Sequence, residues 1–301
     1  MADWDDLRVF LAVARGESLS RAGRVLKLDP ATVGRRVARL EEALGVRLFT
    51  KSPQGYALTD EGARLLSHAQ SVETTMETAR DALSGDSAGI SGQIRIGAPD
   101  GCANYLLPQV VASICADNPG LEVQIVALPR VFSLNRREAD MVVAVSMPES
   151  GRVIVQKITD YRLHLAATAA YLEHAPVLDA LGDLGAHRLI GYIPDMIFDR
   201  ELDYLGALGV DAPTLASNSV SVQLNLIRQG AGLGVVHDFA LPFAPAVRRV
   251  LRAQFSLTRA FHLIRHADDR RVPRLGRFAS ALVAGLRREV ARLEREVDAA
   301  G

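Results

Sequence analysis

Residues 7–23 read LRVFLAVARGESLSRAG, residues 30–49 read PATVGRRVARLEEALGVRLF, and residues 58–62 read LTDEG. Ahead of the first piece stands Asp3, and Leu7, Phe10, Leu11 and Ala14 recur at helical spacing. Asp3 and Asp6 suit the unpaired amides and positive end of that helix's N-terminus, and Gly16 is expected to stop it. Ser20 then caps a short helix whose Ala22, Val25 and Leu26 face inward. The link Lys27-Leu28-Asp29 is tight. Asp29 before Pro30 reads as an N-cap followed by the first helical residue, where proline lacks only an amide hydrogen that would be unpaired anyway. The third helix, over 29–44, carries Val33, Val37, Leu40 and Leu44 on one stripe and Thr32, Arg35, Arg36 and Arg39 on the other side, and Gly45 ends it.

Two short helices and a longer one, joined by a few residues, match a helix-turn-helix. Arg47-Leu48-Phe49, a turn through Ser52-Pro53-Gln54-Gly55, and Tyr56-Ala57-Leu58 then fit a small hairpin, a wing. From Arg15 to Lys51 there are nine Lys/Arg against four Asp/Glu, so this stretch is basic although the whole chain, with 35 of each sign, is neutral. A local basic excess attracts phosphates in a salt-sensitive way. Taken alone, Arg35, Arg36 and Arg39 read better as a solvated helix face; on the third helix of this pattern a DNA-contacting role is favoured.

These three pieces, in this order, resemble the LysR-type transcriptional regulators over Leu7–Gly62. The resemblance implies that the third helix enters the major groove of double-stranded DNA with its N-terminal residues near base edges. The DNA-binding set it implies is Ser20 and Arg21 on the second helix, Ala31, Thr32, Gly34, Arg35, Arg36 and Arg39 on the third, and Lys51 and Gln54 on the wing. Arg35 or Arg36 could pair with guanine or hold a phosphate. The chain departs from the family pattern in places. Relatives usually carry Ser where Asp29 and Gly34 stand, proline at the position of Ala31, and often a basic residue at Gln54.

From Asp60 a pattern free of glycine and proline between Ala63 and Ser84 places Leu65, Ala69, Val72, Met76, Ala79 and Leu83 at alternating spacings of four and three. That is an a/d seam, suited to a partner helix; the alternative is a helix packed on its own domain. The family's linker helix dimerises, and its members usually assemble as tetramers. Gly85-Asp86-Ser87-Ala88-Gly89 reads as a polar hinge.

Beyond it, short strands alternate with helices, the signature of an α/β architecture. Strands are expected at 93–98, 121–127, 140–145, 162–167, 189–192, 233–236 and 261–264. A helix containing Leu106, Leu107, Val110, Val111 and Ile114 is expected after the first, and a closing helix over 273–298, whose 287–289 and 292–296 stretches read as a solvated charged face. Residues 93–286 resemble the family's effector domain more loosely. That domain is built like a periplasmic binding protein, with two α/β lobes, two crossovers and a ligand cleft.

The domains so implied are a winged helix-turn-helix over 1–59, a linker helix and hinge over 60–90, and an effector domain over 91–301. Its first lobe spans about 91–160 plus 268–290, and its second about 161–267. Cleft positions carried over are Pro99, Asp100, Gly101, Cys102, Arg130, Ser146, Tyr192, Asn218 and Ser219; each reads equally well as a loop or cap. Asp100 is the oddity, because relatives often place Ser or Thr there to bind a carboxylate effector. An ionised aspartate points to an effector with an amine or several hydroxyls, or a zwitterion, unless Asp100 is simply the N-cap of the helix through Leu106.

Composition narrows the alternatives. Two cysteines in 301 residues do not suggest a disulfide framework. On one helix, Cys102 and Cys115 would stand ~20 Å apart, too far to bridge. Gly230, Gly232 and Gly234 leave a helix and enter a strand, the reverse of a phosphate-binding loop. His262 and His266 start in a strand-like run and make a poor zinc pair, and no catalytic motif or cofactor site is expected. The start MADWDDLRVF is acidic where a signal peptide is basic, and no apolar run approaches the ~20 residues of a membrane span. A cytoplasmic homo-oligomeric regulator, with RNA polymerase as a further possible partner, is the expected reading. A solute-binding receptor without a DNA role is the alternative.

Overall fold

The computed structural model describes residues 3–52, 55–83, 89–128, 139–148, 151–197, 199–267, 269 and 272–300. The chain divides into two compact units.

In the N-terminal unit, α1 (Trp4–Gly16), α2 (Leu19–Leu26) and α3 (Pro30–Leu44) precede a hairpin of β1 (Phe49–Ser52) and β2 (Gly55–Leu58), followed by α4 (Asp60–Leu83). Val9, Phe10, Val13, Ala22, Val33, Val37, Leu40 and Leu48 form its buried core, so α1 and α3 both turn an apolar stripe inward. Asp3 caps α1, Asp29 caps α3 by accepting from the Thr32 amide at 2.8 Å, and Gly45 closes α3 in the left-handed region at φ 69°.

α1 does end at Gly16, with Glu17 just beyond it in the left-handed region. Three expectations fail locally. Ser18, not Ser20, caps α2, and Ser20 is an exposed first-turn residue. Val25 is 77% exposed and Leu44 39% exposed. The buried face of α2 centres on Leu19, Ala22, Gly23 and Leu26, and at ~100° per residue Val25 falls about 100° off that centre. Asp6 leaves its helix amides alone: its buried carboxylate accepts a bidentate pair from Arg39, at 2.7 Å from Nε and 2.6 Å from Nη2.

The two alternatives for α4 divide its length. Leu65, Leu66 and Ala69 pack on the domain core, and Arg15 on α1 grips Glu73 at 2.5 Å. Further along, Val72, Met76 and Ala79 are exposed. The side chain of Leu83, expected on the seam, and residues 85–88 of the expected hinge lie outside what is described.

The second unit is organised by a mixed sheet of nine strands among the described residues. These are β3 (Gly92–Pro99), β4 (Leu121–Leu128), β5 (Met141–Ala144), β6 (Val153–Thr168), β7 (Leu189–Gly191), β8 (Leu215–Ala216), β9 (Leu233–His237), β10 (Val247–Arg249) and β11 (Leu257–His266). Their order is β4-β3-β5-β11-β6-β9-β7-β8, with β10 on β6. Parallel β4-β3-β5 form one group and parallel β7 with its neighbours β8 and β9 another. The long antiparallel pair β6–β11 joins them, with a register shift at Phe261/His262. Two strand groups joined by two crossing strands are the expected two-lobed form.

The helices are α5 (Asp100–Tyr105), α6 (Leu107–Ala116), α7 (Ala169–His174), α8 (Val220–Arg228) and α9 (Pro273–Ala300). The expected single helix after β3 is therefore two, broken at Leu106 (φ −122°, ψ −50°). Pro108 supplies no amide to the carbonyl four residues back, and its ring crowds that carbonyl. Cys102 and Cys115 fall on the separate pieces, both as free thiols. Gly232 and Gly234 let β9 lie against β7, since a side chain at either would strike the carbonyl oxygens of Arg188 or Ile190. The end of α9 is not a purely solvated face. Arg287 donates to the Ile158 carbonyl at 2.5 Å, Glu294 accepts from Arg162 at 3.0 Å, and Leu286, Val290 and Leu293 are buried. No described helix is long and apolar enough to cross a membrane.

Candidate DNA interface and ligand cleft

The outward side of α3 begins with exposed Ala31 and Arg35 and half-buried Thr32 and Gly34. Thr32 is fixed from both directions. Its amide donates to Asp29 and its hydroxyl accepts from Arg35 Nη2 at 2.9 Å. The hydrogen bonds to Thr32 hold the Asp29 carboxyl below its ordinary range, so it is ionised and spent on the cap. The three arginines are not equivalent. Arg36 lies 3.3 Å from Asp5, and Arg39 is doubly bonded to Asp6, whereas the contact of Arg35 is to a neutral hydroxyl. The competition between Asp5, Asp6 and DNA for these guanidinium groups comes from α1, and sequence reading missed it because the partners stand about thirty positions away. Arg21 on α2 and Lys51 on β1 are exposed. Gln54 lies outside the described residues.

In the second unit, Asp100 is the first residue of α5 and does not cap it; the N-cap position is Pro99. Its carboxylate instead crosses to α8, where Oδ2 accepts from Ser219 Oγ at 3.0 Å and from Ser221 N and Oγ at 2.9 Å each. Asn104 donates to Oδ1 at 3.1 Å. Ser219 also caps α8. Ser146, after β5, donates to Asp199. Asp100, Gly101 and Ser219 thus come together where α5 meets the start of α8, and Ser146 makes a separate contact to Asp199. Gly101 itself packs closely: a methyl on it would sit 3.1 Å from Val220 Cγ2 and 3.4 Å from the His237 ring. Cys102 is fully buried, and burial pushes its thiol pKa up, so it is a core residue with no thiolate character. Asn218 is half-buried beside Ser219. Arg130 lies outside the described residues.

Tyr192 lines a cavity of about 590 Å³ just beyond β7. Its wall includes Tyr204, Gln223, Pro213 and Val235. Asp199, Asp203, Asp211 and Arg200 are also among its lining residues. The cavity therefore has an acidic balance with two phenol rings, 5.8 Å apart at 66°. Burial raises the pKa of both phenols, so they remain neutral donors. Sequence reading found Tyr192 but not the aspartates, which stand in short turns with no periodic signal.

An aromatic cluster of Tyr161, Phe239, Phe261 and His237 packs beside Gly101, with Tyr161 stacked on Phe261 at 4.2 Å. His237 Nε2 meets the Tyr204 hydroxyl at 3.3 Å. Burial lowers the His237 pKa to about 4, against weaker opposition from Asp238 and Asp100. Because the folded value lies below the unfolded one, the unfolded chain takes up the proton first as pH falls, and stability is lost on acidification from about pH 6.5 toward 4. The expected loss from this group between pH 6 and 5 is about 1 kcal/mol. Urea unfolding at the two pH values should show it, and His237→Gln should flatten that part of the profile.

Comparison with known proteins agrees with this anatomy. Residues 4–63 match the family described as bacterial regulatory helix-turn-helix protein, lysR family, and residues 87–287 match the LysR substrate binding domain. The regulator DgdR of Burkholderia cepacia is 33% identical over 246 residues, 79% of each chain. PtxR of Pseudomonas aeruginosa is 26% identical over 251 residues, 82% of this chain and 80% of its own. Among solved structures, a full-length OxyR variant from Pseudomonas aeruginosa aligns with a TM-score of 0.69 at 17% identity, covering 95% of this chain and 98% of that one. Full-length LysG from Corynebacterium glutamicum, solved with bound effector arginine, aligns with a TM-score of 0.64 at 20% identity, covering 94% and 98%; both likenesses concern the fold. With both matched segments in their expected order, the chain belongs to the LysR family of DNA-binding transcription regulators with an effector-binding domain.

Proposed function

We propose that α3 reads duplex DNA through Ala31, Thr32, Gly34 and Arg35, with Arg35 the base-contacting guanidinium. Ser20, Arg21, Arg36, Arg39, Lys51 and Gln54 hold phosphates. The observation that carries this reading is the exposure of Arg35 beside Thr32 at the start of α3, while Arg36 and Arg39 are drawn toward α1. The exposed Val72, Met76 and Ala79 support pairing through α4 into a homodimer and then a homotetramer. Two reading helices then meet adjacent major grooves. On this reading the protein works in the cytoplasm, contacts RNA polymerase, and performs no catalysis.

The domains we propose are 1–59 for DNA, 60–90 for the linker, and 91–301 for the effector. The lobes are about 91–160 with 268–290, and about 161–267. The effector enters between them, among Pro99, Asp100, Gly101, Cys102, Arg130, Ser146, Tyr192, Asn218 and Ser219, and shifts the population of subunit arrangements. The cavity beside Tyr192, whose lining residues all fall within 190–235 of the second lobe, has three aspartates against one arginine, which supports a polar effector that reaches into that lobe with an amine or guanidinium, or a zwitterion.

Fluorescence anisotropy with promoter fragments over a salt series tests the DNA reading. Log affinity is expected to fall linearly with log salt, by about 0.9 per phosphate neutralised. Lys51→Ala should weaken binding to all sequences and flatten the slope by about 1, whereas Arg35→Ala should relax discrimination at one base position. A monomeric protein indifferent to such fragments at low salt would overturn the proposal.

A further inference from the structure

The contacts of Asp100 are those of a bound ligand. One oxygen accepts three hydrogen bonds from the start of α8, two from hydroxyls and one from the Ser221 amide, all at 2.9–3.0 Å. Ser221 is the second residue of that nine-residue helix, so its amide has no acceptor within the helix. The helix's positive end adds an attraction for negative charge. The donors come from one strand group and the carboxylate from the other, 119 positions away in sequence. Next to Asp100, Gly101 packs closely on the same helix, since a methyl on it would sit 3.1 Å from Val220 Cγ2. A second contact between the two strand groups, Ser146 to Asp199, has hydroxyl and carboxylate exchanged between the sides.

We propose that Asp100 is a built-in ligand: its carboxylate fills the anion seat formed by Ser219 and Ser221, clasps the two strand groups together, and excludes small carboxylate anions from that seat. Its regulatory meaning rests on the effector reading given above, because a seat already filled removes simple carboxylates from the class of effectors bound there and leaves the acidic cavity beside Tyr192 to receive the ligand. The clasp itself does not depend on DNA binding.

Chemical rescue by acetate tests it in the full-length protein, read as melting temperature against sodium acetate, with sodium chloride at equal ionic strength as reference. Asp100→Ala is expected to melt several degrees lower than the wild type. Saturating acetate should then restore about 2–4 °C. The wild type and the double variant Asp100→Ala/Ser221→Ala should show no acetate effect beyond that of chloride. Amide hydrogen exchange provides a second measurement that does not require the alanine variant to fold. The Ser221 amide should be protected in the wild type and exchange at least tenfold faster in Asp100→Asn, while amides in the middle of α8 are unchanged. Acetate acting equally on wild type and Asp100→Ala would overturn the proposal. So would absence of rescue in a folded Asp100→Ala protein, or a Ser221 amide that exchanges freely in the wild type. None of these results bears on whether α3 reads DNA, which the salt series decides separately.

Discussion

Asp238→Ala is expected to destabilise the C-terminal unit by about 3–5 kcal/mol, the usual cost of removing one partner from a buried charge pair. Asp238 is fully buried, at 0% exposure. Its carboxylate accepts from His164 Nδ1 at 2.8 Å and from Arg249 Nη1 at 3.1 Å, with Arg162 Nε 3.9 Å away. The Arg249 side chain is only 4% exposed, and its other carboxylate partner, Asp298, is 44% exposed and shared with Arg162. Without Asp238, Arg249 keeps a buried positive charge facing one solvated carboxylate and the Val297 carbonyl. Asp298→Ala removes the exposed partner and should cost no more than about 1 kcal/mol. Urea unfolding of the two variants checks this ranking. Equal losses would mean that the buried carboxylate does not organise the network.

Gly62→Ala is the second large effect, here on the N-terminal unit. In an ordinary helix the change would stabilise by about 1 kcal/mol. Here the added methyl would overlap the Leu48 carbonyl oxygen and come within 2.9 Å of Leu58 Cδ2. The backbone it strikes cannot move away cheaply. The Leu48 carbonyl accepts from the Thr59 amide at 3.0 Å, the Thr59 hydroxyl donates to the Arg47 carbonyl at 2.7 Å, and the Gly62 amide donates back to that hydroxyl at 3.0 Å. The start of α4 is thereby locked to the base of the wing. The expected cost is about 3 kcal/mol, a large share of the stability of so small a unit, and DNA affinity should fall with it. Thermal melting followed by circular dichroism decides the matter. A variant that melts at or above the wild type would show that the closeness of Gly62 to Leu48 is not required.

Local signals were readable in the sequence where a short-range contact settles them. Asp29-Pro30 and Gly45 bound α3 because a cap needs only its own turn, and alternation in 93–98 marks β3 because one face is buried. The sequence reading places the cap of α2 on Ser20, and the structure has it two positions earlier at Ser18, a serine of the same type that residue identity alone does not tell apart. Pro108 was a local signal that the sequence reading passed over. Strands as short as β8 and β10 carry no period to detect. The partners of Asp6, Arg39 and Asp100 were out of reach for a different reason. Each is decided by a side chain more than thirty positions away, and the residue type alone fits a helix end, a solvated face or a ligand site equally well.

The long final helix has a mechanical consequence. At Gly285 it lies so close to α6 that a methyl would run into Val110 Cγ1. Two residues further on it is fastened to β6 by Arg287, and in its last turns by Glu294 and Asp298 to Arg162 and Arg249. A rod pinned to both halves resists their gaping apart, since a wide opening must tear either the apolar pin or the ionic one. The irregular point of the β6–β11 ribbon at Phe261/His262 lies opposite Ile158, whose carbonyl Arg287 holds, so the final helix braces the ribbon where its own pairing is broken.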